Sequence, residues 1–165
     1  MTATATPLDL IPRDAAFPVH RLSGLDDALV LFAAAWLGKQ DAVFLADAGI
    51  TGTCVDLDGA RLDEMRAIYP DGWSFSQADA FHYARTWRTA GRRWDAVTVD
   101  CPTNLFDRCA AELPLWCDLA RRLVVLGCGR RTHIDPPDGW ALTHTIQRSD
   151  FRGGVQWAVL ERRWS

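Results

Sequence analysis

The sequence has little of several features that mark particular classes of protein. Of its 18 basic residues only Lys39 is a lysine, and the net charge is −3 with a pI near 5.7. This balance excludes a polycation that coats nucleic acid without specificity. The arginine bias fits a GC-rich coding sequence as well as a use for bidentate guanidinium contacts. The longest apolar run, residues 28–37, is too short to cross a membrane and predicts a buried strand instead.

Metal-binding and disulfide patterns are also missing from the chain. There are five cysteines but no C-x-x-C pair. An odd number of cysteines without metal-ligand spacing predicts reduced thiols and a cytoplasmic protein. The four histidines are scattered along the sequence at positions 20, 82, 133 and 144. No metal site is therefore predicted.

What the chain does have is enough apolar residues for one globular domain. It is 165 residues long and 48% hydrophobic, which is sufficient for a sizeable core. Prolines at positions 7, 12 and 18 and the lack of a clean period predict an irregular segment over residues 1–24. Residues 25–165 are predicted to form a single domain, without repeats or low-complexity runs.

Within this domain, strand-like and helix-like segments alternate. The predicted strands are Ala28–Phe32, Ile50–Leu57, Trp73–Ala78, Ala96–Val99, Leu123–Leu126, Trp140–Gln147 and Val155–Arg162. The predicted helices are Lys39–Ala48, Gly59–Tyr69 and Leu105–Leu119, the last interrupted near Pro114, and His82–Gly91 is predicted to be a short helix or a loop. Alternation of this kind predicts a mostly parallel sheet with helices on both faces. The last two strands, joined through Gly153 and Gly154, predict a closing antiparallel hairpin.

Acidic residues stand at the ends of three predicted strands. They are Asp56, Asp79 and Asp100. Ligands of open α/β sheets bind outside the carboxyl ends of the strands, so we expect these three carboxylates to line one crevice. Gly38 precedes Asp56 by 18 residues, close to the roughly 20 between a phosphate-loop glycine and a ribose-binding acid.

The order of elements and one segment resemble class I S-adenosylmethionine-dependent methyltransferases, a Rossmann-like fold. The resemblance runs from about Leu25 to Arg163 and is closest over Leu45-Ala46-Asp47-Ala48-Gly49-Ile50-Thr51-Gly52-Thr53-Cys54-Val55-Asp56-Leu57-Asp58. It implies S-adenosylmethionine as cofactor. Asp56, with Asp58 next best, would hold the ribose hydroxyls, because a carboxylate accepts two hydrogen bonds from a vicinal diol. Asp79 and Phe81 would hold and flank the adenine.

The same resemblance assigns the two remaining parts of the site. The loop Ala34–Gly38, with Ala34, Trp36 and Gly38, would hold the methionine end of the cofactor. Asp100-Cys101-Pro102-Thr103 occupies the place of the family's fourth motif, beside the transferable methyl, and Asp100 would orient or deprotonate the acceptor. This segment is a half match to the Asp/Asn-Pro-Pro-aromatic motif of amino-directed nucleic-acid methyltransferases. Nucleic acid is therefore favoured over a small-molecule acceptor.

Other interpretations stay open at this point. Phe32 and Trp36 replace the acid and a glycine of the family's first motif, which is compatible with a catalytically inactive scaffold that binds a protein partner. No G-x-G-x-x-G follows the first strand, which disfavours a dinucleotide-dependent oxidoreductase. Two groups of arginines either face solvent or converge on a phosphate-bearing substrate. They are Arg85/Arg88/Arg92/Arg93 and Arg121/Arg122/Arg130/Arg131.

Overall fold

The computed structural model of the chain describes residues 18–34, 36–129, 132–148 and 155–164, without the side chains of residues 36–40, 146–148 and 155. The predictions for most of the irregular N-terminal segment, for Arg130 and Arg131 and for the hairpin connection fall outside these residues. No described helix is long and apolar enough to span a bilayer.

Seven strands and five α-helices alternate along the described chain. The strands are β1 (Asp27–Leu31), β2 (Thr51–Asp56), β3 (Trp73–Gln77), β4 (Trp94–Asp100), β5 (Ala120–Gly129), β6 (Trp140–Arg148) and β7 (Val155–Arg162). The helices are α1 (Trp36–Asp47), α2 (Gly59–Ile68), α3 (Ala80–Thr89), α4 (Phe106–Ala111) and α5 (Leu113–Leu119). Short 3₁₀ turns cover Val19–Arg21 and Thr103–Leu105.

The strands form one sheet in the order β3-β2-β1-β4-β5-β7-β6. Strands β1 to β5 pair in parallel, and β7 runs antiparallel to both β5 and β6. This confirms the predicted fold: a mostly parallel sheet with an antiparallel C-terminal hairpin. The carboxyl ends of β1 to β4 therefore meet at one edge of the sheet.

Helices cover both faces of the sheet. One apolar cluster joins the sheet to α3, α4 and α5, and the other joins it to α1 and α2. Every residue of the central strand β4 is buried, as expected for a parallel strand covered on both faces. Along β4 the side chains of Val97 and Val99 enter the first cluster and that of Ala96 the second. Strand alternation places Asp100 on the same face as Ala96, which is the α1 face.

Several helix ends follow the local signals in the sequence. Gly49, in the left-handed region with φ +77°, ends α1, and Pro70 ends α2 by holding Tyr69 in an extended conformation. The interruption predicted near Pro114 is also confirmed. Helix α4 ends at Ala111 and α5 begins at Leu113, which places Pro114 in the first turn of α5, where its missing amide hydrogen does not matter.

Other boundaries differ from the predictions. Helix α1 begins at Trp36 instead of Lys39, so Gly38 lies in its first turn and not before it. Strand β1 ends at Leu31, one residue earlier than predicted. Strand β4 includes Asp100, and β5 begins at Ala120 instead of Leu123. The start of β5 was missed because its two arginines look like loop residues, whereas they lie at the rim of the sheet.

Candidate functional site

A cavity of about 370 Å³, which we call the strand-end cavity, lies at the carboxyl ends of β1 to β4. It is lined by Phe32, Ala34, Asp56, Leu57, Asp58, Arg61, Ala78, Asp79, Ala80, Phe81, Pro102, Asn104, Leu105 and Arg108. These residues come from the end of β2, from the segments that directly follow the four strands, and from the first turns of α2, α3 and α4. The cavity is thus at the sheet edge where open α/β folds bind their ligands.

Asp56 is the last residue of β2, and its carboxylate is held in place by two backbone amides. The amide of Ala34 donates to Oδ2 at 3.0 Å, and the amide of Asp58 donates to Oδ1 at 2.9 Å. Each carboxylate oxygen has two lone pairs, so each keeps one free for a further hydrogen bond. The two remaining lone pairs sit on different oxygens of an oriented group, which is the arrangement that a vicinal diol requires.

Asp58, the second-best ribose candidate, caps the N-terminus of α2. Its Oδ1 accepts the amide hydrogen of Arg61 at 3.1 Å, and its Oδ2 lies 3.3 Å from Nε of the same residue. The Arg61 guanidinium also donates to the carbonyl of Ala34 at 3.3 Å. Arg61 therefore ties the start of α2 to the turn after β1, and both oxygens of Asp58 are engaged within its own helix.

Asp79 and Phe81 form the opposite wall. Oδ1 of Asp79 caps α3 by accepting the amide hydrogen of His82 at 2.8 Å, and the carboxylate has a second oxygen for a ligand. Phe81 is almost fully buried, with the edge of Phe32 against it at 5.8 Å between ring centroids. The guanidinium carbon of Arg108 lies 3.8 Å from the centroid of the Phe81 ring. The guanidinium carbon of Arg85 lies 5.9 Å from the same centroid, so an aromatic ring with two cationic neighbours stands beside an acid.

Phe32 adopts a backbone conformation that bulky residues rarely use. Its φ is +59°, and Phe32 is the sole non-glycine residue with positive φ in the part of the chain that the structure describes. Such a conformation costs about 1–3 kcal/mol and is often found at functional sites. Here it lets the chain turn sharply after β1, so that the backbone amide of Ala34, two residues further on, reaches the carboxylate of Asp56.

Asp100 is at the same sheet edge but is not among the residues that line the cavity. It is only 3% exposed, and its Oδ2 has no hydrogen-bond partner. Burial raises the pKa of Asp100 to about 8. Asp41 of α1 is 1% exposed, and burial, followed by the neighbouring Asp100 carboxyl, raises its pKa well above 3.8. The protonated form of Asp100 therefore predominates at pH 7, and burial disfavours the ionised form of Asp41 in the same way.

The structure brings together four of the predicted site residues, namely Ala34, Asp56, Asp79 and Phe81, on one cavity. Asp100 lies beneath α1, because β4 extends to this residue and strand alternation turns its side chain to that face. The side chain of Trp36 lies outside the described residues, and Gly38 has no side chain. Their assignment to the methionine end of a cofactor stays a prediction.

The sequence reasoning missed the two cavity-lining arginines. Arg61 stands three residues after the capping Asp58, and this spacing directs its side chain back towards the strand ends. The position of Arg61 could therefore have been predicted from the sequence. Arg108 meets Phe81 only through the packing of α4 against α3, which no local pattern indicates.

The described members of the two arginine groups singled out in the sequence do not line this cavity. Arg85 pairs with Glu112, Arg88 with Asp118 at 3.7 Å, and Arg92 with Asp27 at 3.1 Å. Arg121 pairs with Asp27 and Asp95 at the opposite sheet edge, where the chain enters β1 and β4. Within the described residues, no group of three or more histidine, cysteine or acidic side chains has the geometry of a metal site.

No protein-family model matches this sequence, and no curated protein matches it either. Solved structures do match its fold. A proposed methylase from Haemophilus influenzae superimposes with a TM-score of 0.63 at 12% identity, over 88% of this chain and 91% of the other. TrmN from Thermus thermophilus gives 0.65 at 21% identity, over 90% and 48%. A proposed methyltransferase solved with S-adenosylhomocysteine (SAH), SMU.776, gives 0.62 at 13%, over 87% and 47%.

These similarities establish the fold. The chain has the class I methyltransferase fold, as its sequence resemblance predicted. It spans nearly the whole of the Haemophilus protein but only about half the length of the other two. A shared fold does not by itself assign an activity, so function has to be argued from the residues of the cavity.

Proposed function

We propose that this chain is a methyltransferase that uses S-adenosylmethionine. The observation that carries the proposal is the carboxylate of Asp56, which two backbone amides orient at the wall of the strand-end cavity. A freely rotating surface acid would need no such fixing. An acid that must meet both hydroxyls of a ribose does need it, because hydrogen-bond strength falls steeply with misalignment.

The rest of the cavity fits an adenosine. Asp79 offers a carboxylate oxygen to the adenine amino group, and the side chains of Phe81 and Leu57 offer apolar surface to the ring. The volume of about 370 Å³ falls within the roughly 300–1,000 Å³ of small-molecule sites. We assign the methionine end to the segment that contains Ala34, Trp36 and Gly38.

When bound, the cofactor supplies a sulfonium-linked methyl group that an in-line nucleophile accepts. The protein then contributes mainly by holding the acceptor in line, since proximity and orientation account for much of such a barrier. With a pKa of about 8, Asp100 is mainly in its protonated form at pH 7, and a protonated carboxyl donates a hydrogen bond but is not a general base. We therefore propose that Asp100 does not deprotonate the acceptor; to orient the acceptor by a direct hydrogen bond, its side chain, which is 3% exposed and does not line the cavity, would have to become accessible.

Nucleic acid is the acceptor we favour, on the resemblance of residues 100–103 to the amino-directed motif. The five free, buried thiols support a cytoplasmic location. The alternative of an inactive scaffold is not favoured. That alternative depended on the residues at positions 32 and 36. Phe32 lines the cavity and leaves it open, and the side chain of Trp36 lies outside the described residues.

Calorimetric titration with SAH tests the cofactor assignment. Wild-type protein is expected to bind it, and Asp56→Asn is expected to weaken binding about 10- to 100-fold. That range corresponds to about 1.5–3 kcal/mol for hydrogen bonds to a charged group. Asn keeps the shape and one acceptor oxygen, so the backbone amides are not both orphaned.

Asp71→Asn is the matched control, because Asp71 is an exposed acid that does not line the cavity. Its SAH affinity is expected to equal that of wild type. No binding heat from wild-type protein at millimolar SAH would overturn the proposal. Equal loss in both variants would show a general charge effect instead of a ribose contact.

A further inference from the structure

A second cavity, of about 240 Å³, lies at the opposite edge of the sheet. Its wall carries three arginines, Arg21, Arg122 and Arg162, together with Glu161 and Trp164. The antiparallel pairing of β5 with β7 places Leu123 opposite Glu161, which brings the start of one strand to the end of the other. The 3₁₀ turn that contains Arg21 closes the third side.

The cavity has more positive charge than its own carboxylate can balance. Arg21 pairs with Glu161 at 3.1 Å. Arg122 donates to the carbonyl of Gly24, and Arg162 donates to the carbonyl of Ala120 at 3.2 Å. Three guanidinium groups and one carboxylate leave a net charge of +2 on the wall. By contrast, the neighbouring Arg121 has two carboxylates.

Two of these guanidinium groups also have buried nitrogens without a partner. Nε of Arg21 and Nε of Arg162 are both inaccessible to water and make no hydrogen bond. A buried donor that is left unsatisfied costs free energy, so native proteins usually provide it with an acceptor. Because these two Nε atoms are inaccessible, an anion in the cavity would meet the terminal nitrogens of the guanidinium groups, whose planar geometry matches phosphate.

Trp164 adds an aromatic surface at the rim. Its side chain is 77% exposed, the largest exposure among the large hydrophobic residues that the structure describes. An exposed indole beside arginines suits a ligand with its own flat ring, because nucleobases stack on aromatic side chains.

We infer that this cavity binds a phosphate monoester attached to a nucleobase, with Arg122 and Arg162 on the phosphate and Trp164 under the base. A phosphate monoester carries about −1.5 to −2 charges at pH 7, which matches the net charge of the wall. The ligand is either a free nucleotide or the 5′ end of an RNA strand. The site is independent of the proposed methyltransferase function, since it lies at the other edge of the sheet.

Calorimetric titration with uridine 5′-monophosphate (UMP) tests this site in the presence of saturating SAH. SAH occupies the strand-end cavity, and UMP carries a pyrimidine instead of adenine. Binding of UMP to the strand-end cavity therefore does not contribute to the measured heat. UMP is expected to bind with submillimolar affinity and uridine at least tenfold more weakly. Arg122→Gln is expected to weaken UMP binding about tenfold or more. Trp164→Ala should weaken UMP binding but leave binding of inorganic phosphate unchanged.

Arg163→Gln is the matched control, because Arg163 is adjacent in the chain, exposed and not part of the cavity wall. Its UMP affinity should stay within about twofold of wild type. No UMP binding up to about 10 mM, equal binding of uridine, or an equal loss in Arg163→Gln would each overturn the inference.

The two sources of the ligand are separated by a short oligouridylate with and without a 5′-phosphate. Tighter binding of the phosphorylated strand than of UMP assigns the site to an RNA end. Binding no tighter than that of UMP assigns it to a free nucleotide. If wild-type protein gives no SAH signal, the same UMP titration without SAH still tests this site, so the two proposals fail separately.

Discussion

Replacing Asp100 by Asn is expected to stabilise the protein at neutral pH. Asp100 is 3% exposed, Oδ2 lacks a partner, and the residue sits opposite Gly127 in the pairing of β4 with β5. A Cβ added to Gly127 would lie 2.7 Å from Oδ1, so the carboxyl fills the space that this glycine leaves. Asn has the same shape and carries no charge, so the substitution removes only the ionisable proton.

The magnitude follows from the raised pKa. In the unfolded chain Asp100 ionises near 3.8, whereas in the folded protein its pKa is about 8. Below pH 3.8 both states are protonated and stability is unaffected. Between these values only the unfolded state loses its proton, so the free energy of unfolding falls by about 1.4 kcal/mol for each pH unit. Between pH 4 and pH 7 the loss is about 4 kcal/mol.

Urea denaturation, followed by tryptophan fluorescence at pH 4, 5.5, 7 and 8, measures this difference. Wild type is expected to lose stability relative to Asp100→Asn as pH rises, with the gap widening up to about pH 8. Asp71→Asn, at an exposed acid, should follow the wild-type curve. Parallel curves for wild type and Asp100→Asn would refute the reasoning, because they would mean that Asp100 is already ionised in the folded state.

Two further substitutions test the packing of the sheet and the wall of the strand-end cavity. Gly52→Ala is expected to lower the free energy of unfolding by about 1–3 kcal/mol in the same urea assay, because its Cβ would lie 2.5 Å from the backbone oxygen of Ala28; unchanged stability would contradict this. Arg108→Ala is expected to weaken SAH binding several-fold, because the contact between the Arg108 guanidinium and the Phe81 ring is lost. Arg85→Ala is the control and should bind SAH normally, because the Arg85 guanidinium lies 5.9 Å from the same ring and does not line the cavity.

The fold was predictable from the sequence because its signals are local. Buried strands appear in the sequence as continuous apolar runs, and Asp58 stands directly before the helix that it caps. Asp79 caps α3 in the same way, although the sequence predicted this element only from residue 82. Parallel order then places all strand ends at one edge, so Asp56 and Asp79 were correctly expected to share a cavity. No detail of side-chain packing was needed for these predictions.

The wrong predictions depend on where a strand or helix begins or ends to within one or two residues, and the missed contacts depend on pairing between strands that are distant in sequence. Asp100 was predicted to follow the end of a strand and to line the crevice, but β4 includes it, and strand alternation then directs its side chain to the α1 face. Gly38 looked like a turn glycine, yet α1 already begins at Trp36. The meeting of Arg122 with Arg162 requires the register between β5 and β7, which a single sequence does not specify.

The buried acids also restrict the chemistry that the proposed enzyme can perform. Asp100 is mainly protonated at pH 7, and the cavity-lining acids Asp56, Asp58 and Asp79 all accept hydrogen bonds from backbone amides. Under the proposed function, Asp56 and Asp79 also bind the ribose and the adenine. No described carboxylate at the cavity is then left over as a general base. An acceptor whose lone pair is available without prior deprotonation, such as an exocyclic amine or a ring nitrogen of a base, therefore fits this site better than an alcohol does.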